Sequence, residues 1–234
     1  MNNTVLQLKV KERLNKLDSK DYDNLECWQI VEAYNKASVE WSRRQLVGSN
    51  ILKQGDEQSK RRVDDLQVLL TTVPLSLSAV KLYTESDLLP VNYLEFKRLE
   101  VYASKDCCKD PRLMTIYLSE EANAINSLKD DNKKPSFEWG ETFTTLVGNR
   151  VRIYTNDDFV VDSAKLMYYK QPNKIQVAGC TDPNTGAVSS VDVESEFKED
   201  VIEIIIDAAC AIIAGDIENM TQYQRNSQNS EKNN

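Results

Sequence analysis

The sequence predicts an α+β fold, with N-terminal helices, an antiparallel β-sheet or meander in the middle and a long C-terminal helix. Three observations point there. Apolar residues recur at helical spacing through the first third, short β-prone runs bounded by turn residues follow Pro74, and a strongly apolar helical pattern returns after Asp192. With 234 residues, 41% of them apolar, the chain is long enough to bury a substantial core.

Residues 4–17 place Leu6, Val10, Leu14 and Leu17 near one face of a first amphipathic helix. Asp23 stands three residues before Glu26, a capping-box spacing that predicts the start of a second helix. Along it Cys27, Ile30, Val31, Tyr34, Ala37 and Trp41 share a face, and Gly48 supplies the stop. Beyond the polar stretch 49–60, Val63, Leu66, Leu70 and Val73 predict a third helix ended near Pro74. Residues 1–73 therefore read as a helical N-terminal region and residues 74–191 as an antiparallel β-rich region.

Within the β-rich region, residues 79–83, 93–103 and 113–118 are strand candidates. A short helix is expected after Ser119, where Glu120 and Glu121 suit the positive end of its dipole, and the polar run 129–134 closes it. The clearest local signal is residues 141–155, where two β-prone runs flank Gly148-Asn149, the chemistry of a two-residue hairpin turn. Val151 and Ile153 alternate there with Arg152 and Tyr154, so one face is apolar and the other can meet solvent or a partner. Asn156-Asp157-Asp158 turns the chain into residues 159–161 and 163–170, completing an antiparallel meander. The run Asp182-Pro183-Asn184-Thr185-Gly186 spells another turn. It is rich in oxygen but lacks the spacing and terminal glutamate of a calcium loop.

Residues 192–225 read as one helix, started by Asp192 or Ser195, with Ile202, Ile205, Ile206, Ala209, Ile213, Ile217 and Met220 around its apolar side. Such a helix spans roughly 45 Å, more than a compact core of this size needs. The run Ile204-Ile205-Ile206 also widens the apolar surface beyond one stripe. This surplus makes Ile205, Ile206, Ile213, Ile217, Tyr223 and Arg225 candidate subunit-interface residues; the alternative, a bent helix lying wholly on its own fold, stays open. Residues 226–234 are too polar to bury themselves and are expected to be disordered or ordered only by contact.

Chemistry is conspicuous by what is missing. Histidine is absent from the sequence, which removes the commonest general base, the usual partner of a serine or cysteine nucleophile and the commonest metal ligand. The seven glycines fall in no phosphate-binding spacing. Carboxylate pairs such as Asp130-Asp131 and Asp157-Asp158 lie in polar turns, where adjacent side chains are usually solvated. A net charge of −8 gives phosphate-driven nucleic-acid binding little to act through. Trp28, Trp41 and Trp139 then read as core and interface anchors. The five cysteines, at 27, 107, 108, 180 and 210, are odd in number and unpaired in spacing, which predicts reduced thiols in a cytosolic setting, with Cys27 and Cys210 as small core residues. The N-terminus lacks the apolar core of a signal peptide, and the apolar stretch 201–214 is shorter than a membrane span and contains Glu203 and Asp207. The chain reads as soluble and non-enzymatic, with no catalytic, metal or cofactor site.

Residues 135–143 (Pro-Ser-Phe-Glu-Trp-Gly-Glu-Thr-Phe) and 147–155 (Val-Gly-Asn-Arg-Val-Arg-Ile-Tyr-Thr) resemble the neck and tail ring proteins of crAss-like tailed bacteriophages. The C-terminal runs Glu199-Asp200-Val201, residues 204–209, residues 213–218 and Tyr223-Gln224-Arg225 resemble them as well. The resemblance spans residues 92–225 and leaves residues 1–73 unmatched. It implies a virion structural protein forming a ring, twelvefold by family expectation, at the portal-proximal neck or in the tail barrel. The implied partners are further copies of the chain, the portal protein and other ring or tail proteins. Genomic DNA would pass transiently, no membrane is involved, and assembly takes place in the host cytoplasm. A tail terminator or completion protein, or a non-virion intracellular adaptor, is the alternative.

Overall fold

A computed structural model describes residues 1–15, 25–49, 53, 55, 59–106, 108–182, 185–216 and 220–232. In chain order the elements are α1 (Asn3–Asn15), α2 (Cys27–Val47), α3 (Lys60–Leu66), β1 (Leu70–Leu75), β2 (Leu77–Ala79), β3 (Tyr83–Leu88), β4 (Tyr93–Lys105) and β5 (Cys108–Leu118). They continue with α4 (Ala124–Lys129), β6 (Glu141–Val147), β7 (Arg150–Tyr154), β8 (Val160–Lys170), α5 (Glu199–Asp216) and α6 (Met220–Lys232). The chain is α+β and forms two compact units: Met1–Leu69 with Pro172–Asn234, and Leu70–Gln171.

The helical unit is built around α5, which packs against α1, α2 and α6. Three partners explain why α5 is apolar nearly all round: Val201, Ile202, Ile204, Ile205, Ile206, Ala209, Ile213 and Ala214 are all buried. Against them α1 contributes Leu6, Val10 and Leu14. The single helix expected over residues 192–225 is in fact two, with α6 folded back on α5, and the described residues of 172–198 form an irregular arm along α2. That arm is fastened by Asn35, whose side chain exchanges two hydrogen bonds with the Ile175 backbone (2.8 and 3.3 Å). The Tyr34 hydroxyl lies 2.8 Å from Ser195 Oγ, Trp41 meets Phe197 edge-on at 5.3 Å, and a disulfide joins Cys27 to Cys180.

The disulfide corrects the expectation of reduced thiols for those two cysteines, which lie 153 residues apart in sequence and close only in the fold. Cys210 is a buried core thiol, as expected, and burial pushes it up to about 12. Cys108 is exposed, and its chain neighbour Cys107 lies outside the described residues. The polar C-terminus is also corrected: α6 runs to Lys232, turning Gln222, Asn226 and Ser230 inward at four-residue spacing. On this face Gln222 Nε2 donates to the Leu14 carbonyl.

The second unit is an eight-stranded sheet in the order β1-β8-β4-β5-β6-β7-β3-β2. Only Ser76 separates β1 from β2, so the two ends of this order are consecutive halves of one bent strand, and the sheet rolls into a barrel. Its interior holds Leu99, Val101, Met114, Val151, Ile153, Leu166 and Tyr168. The third predicted helix is shorter than expected. α3 ends at Leu66, and Leu70 and Val73 lie in β1, where Pro74 sits at the β1 terminus of the strand order, away from the sheet's centre. The sheet is not a meander: β5 pairs with β4 antiparallel through its first half and with β6 parallel through its second. Residues 79–83 are not one strand: Ala79 ends β2, Tyr83 begins β3, and residues 80–82 connect them.

Candidate interaction surface

The residues singled out on the last helix fall into three groups. Ile205 and Ile206 are 0% exposed and Ile213 is 4% exposed, so their own fold covers them and they are not available to a neighbour. The surplus apolar surface inferred from the sequence is therefore absent at these positions. Tyr223 and Arg225 are exposed on α6, and Ile217 lies outside the described residues.

Glu203 and Asp207, the two acids inside the apolar stretch, are tied to α1. Arg13 bridges both, with Nη1 2.8 Å from Asp207 Oδ1 and 2.9 Å from the Glu203 carbonyl, while its other nitrogen and Lys9 hold the Glu203 carboxylate. Burial pushes the Asp207 carboxyl above its ordinary range; Arg13 and Arg225 oppose that rise and Glu203 adds to it. The arrangement is an ion-pair clamp between helices.

Exposed apolar side chains gather instead on the outside of the barrel. Tyr102 on β4 faces Leu113 on β5 across a paired position, and Tyr117 follows four residues along the same face of β5. Trp139 belongs to the turn that enters β6, two residues before Glu141. Because β6 runs parallel to β5 with Glu141 opposite Thr115, Trp139 comes to the Leu113 end of β5. The row Tyr102, Leu113 and Trp139 is 39%, 55% and 81% exposed.

The turn carrying Trp139 is built as a scaffold. Its backbone closes on itself through Ser136 N–H to the Glu141 carbonyl (2.9 Å) and Gly140 N–H to the Ser136 carbonyl (3.0 Å). Arg112 Nη1 donates to the carbonyls of Phe137 (3.0 Å) and Glu138 (2.9 Å). Gly140 sits at φ +69°, and a Cβ there would come within 3.1 Å of the Arg112 guanidinium. Asp158 accepts from the Phe137 N–H (2.8 Å) and from Lys105 Nζ (2.6 Å). Burial raises the Asp158 carboxyl, but these bonds and Lys105 outweigh it, so it stays below its usual range. The turn thus anchors its buried Phe137 and projects its neighbour, Trp139, into solvent.

Further along β6 and β7 the strand pair is capped. Glu121, in the turn before α4, accepts from Thr145 Oγ1 (2.5 Å), Tyr154 OH (3.1 Å) and Arg152 Nη1 (3.0 Å); Arg152 also binds Glu85 (2.9 Å) and lies over the Tyr83 ring. Tyr154, expected on a face open to solvent or a partner, is 5% exposed beneath this cap, stacked on Phe143 at 4.5 Å. Sequence reasoning flagged Trp139 only as one aromatic among three. Arg112 and Asp158, which hold it out, gave no linear signal because their bonds span 21 to 26 residues.

In the helical unit a groove of about 660 Å³ lies between α2 and the arm, floored by Trp28, Val31, Val39 and Val177. One end is marked by the Cys27–Cys180 disulfide and the other by the Asn35–Ile175 pairing, beside which stand Lys36 and Lys174. Gly186 N–H closes onto the Asp182 carbonyl at 2.8 Å, the turn expected from residues 182–186.

No protein-family model and no curated protein matches this chain. No helix among the described residues is long and apolar enough to cross a membrane.

Proposed function

We propose that this chain is a non-enzymatic virion structural protein that forms a ring of the portal-proximal neck or tail barrel and joins portal to tail. The observation that carries the reading is the row Tyr102–Leu113–Trp139, three large side chains left in water on the outer face of the sheet. Exposed large apolar side chains of this kind mark a contact site, and a tryptophan held out by a fixed turn is a suitable anchor for one. The turn itself belongs to the segment 135–143 that resembles the ring proteins of crAss-like phages. A ring needs a head-to-tail contact that closes on itself, and it acts through buried area between neighbours, without side-chain chemistry. In this reading the interface moves from the last helix, whose isoleucines are already covered, to the barrel wall.

Mass spectrometry of purified phage particles, combined with light scattering of the protein alone and with the portal protein, tests the assignment. The expected result is stoichiometric presence in particles and a complex with the portal protein. Absence from particles, together with a monomer that never joins the portal protein, refutes it and points to an intracellular adaptor.

A further inference from the structure

We infer that Trp139 of one copy seats in the α2–arm groove of the next copy, so that the chain carries both halves of a heterologous contact. The inference rests on the ring reading and names its joint. Trp139 is 81% exposed on a turn fixed by Arg112 and Asp158, a projecting side chain that loses little conformational freedom on docking. The groove offers an apolar floor of Trp28, Val31, Val39 and Val177, in a volume of about 660 Å³. A projection and a hollow carried by the same chain generate a head-to-tail series, which becomes a ring when the rotation closes.

Charge decides the orientation and favours a second copy as the occupant. Trp139 is flanked by Glu138 and Glu141, both exposed and neither in an ion pair among the described residues. Lys36 and Lys174 stand on opposite walls at the Asn35–Ile175 end of the groove and likewise make no ion pair there. Of the groove's own acids, Asp182, whose carboxylate accepts from the Thr185 hydroxyl at 3.0 Å, is near the disulfide end, while Glu32 stands one helical turn from Lys36 on the same face of α2. The acidic flanks of the tryptophan therefore meet the lysine end, two unpaired carboxylates against two unpaired ammonium groups.

Sedimentation velocity over a range of concentrations tests the contact in the full chain, with circular dichroism confirming that each variant is folded. Wild type is expected to self-associate, and Trp139→Ala to weaken association on the order of thirtyfold, the effect of a central aromatic anchor. The Lys36→Glu/Lys174→Glu double variant should weaken it too, and adding Glu138→Lys/Glu141→Lys to that chain should restore it. Association of Trp139→Ala equal to wild type, or a charge exchange that restores nothing, overturns the contact. A wild type that stays monomeric also overturns it, while the virion role is judged separately by presence in particles.

Discussion

Replacing Arg13 by methionine should be among the most damaging single changes to the helical unit. The guanidinium is 26% exposed and serves two carboxylates, Asp207 at 10% exposure and Glu203 at 34%. Removing one partner of a buried pair costs about 3–5 kcal/mol, because the remaining charge has neither water nor a counter-ion. The better solvated Glu203 adds under about 1 kcal/mol. Partial exposure of Arg13 places the expected loss near the lower figure, about 3 kcal/mol at neutral pH. The pH dependence has a definite sign. Asp207 already binds its proton more readily folded than unfolded, so its protonated form contributes stability at low pH that is lost as pH rises through the folded value. Without Arg13 the carboxyl rises further, and the deficit should shrink as pH falls from neutral and the group takes up its proton. The Arg13→Met/Asp207→Asn double variant should recover most of the loss. Urea unfolding followed by tryptophan emission in a Trp139→Phe background reads the helical unit alone, since Trp28 and Trp41 both lie there. A deficit under about 1 kcal/mol, or one unchanged between neutral and acid pH, would refute the clamp.

Three further outcomes are expected. Ile205→Ala should destabilise the helical unit by about 2–5 kcal/mol independently of protein concentration, and Tyr223→Ala by less than about 1 kcal/mol; a concentration-dependent loss for Ile205→Ala in chemical denaturation would return that residue to an interface. Cys27→Ser should lower stability by roughly 2–4 kcal/mol under oxidising conditions and by nothing further on adding reductant, whereas wild type should fall to the level of the variant when reduced. Gly148→Ala should cost about 1 kcal/mol in thermal unfolding through backbone strain alone, because Gly148 sits at φ +57° and its added Cβ would touch nothing within 4 Å.

Local signals in the sequence survived folding where the chemistry was local. Gly148-Asn149 turns with both residues in the left-handed region, and Gly48 ends α2 at φ +77°, as their residue types demand. The start of α2 was nearly placed: its capping pair is Glu26 with Gln29, whose side chain accepts the Glu26 N–H at 2.9 Å, while Asp23 lies outside the described residues. Failures arose where a neighbour distant in sequence decides. Leu70 and Val73 continue a helical period, yet pairing with β8 makes them strand. The triple isoleucine of α5 implied a missing subunit because its covers, α1 and α2, come from the opposite end of the chain. The exposed Trp139 could be counted but not located, since its exposure is fixed by Arg112 and Asp158 reaching across loops.

The barrel is an insertion: Leu70 enters it opposite Tyr169, just before the chain leaves at Gln171. A ribosome therefore finishes the barrel while the helical unit still lacks α5. At about 5–20 residues per second, α1 and α2 wait on the order of ten seconds with their greasy sides bare. Newly made α1 and α2 are thus the stretch of this chain most in need of a chaperone, and a stall before residue 199 would leave a finished barrel tethered to two orphaned helices.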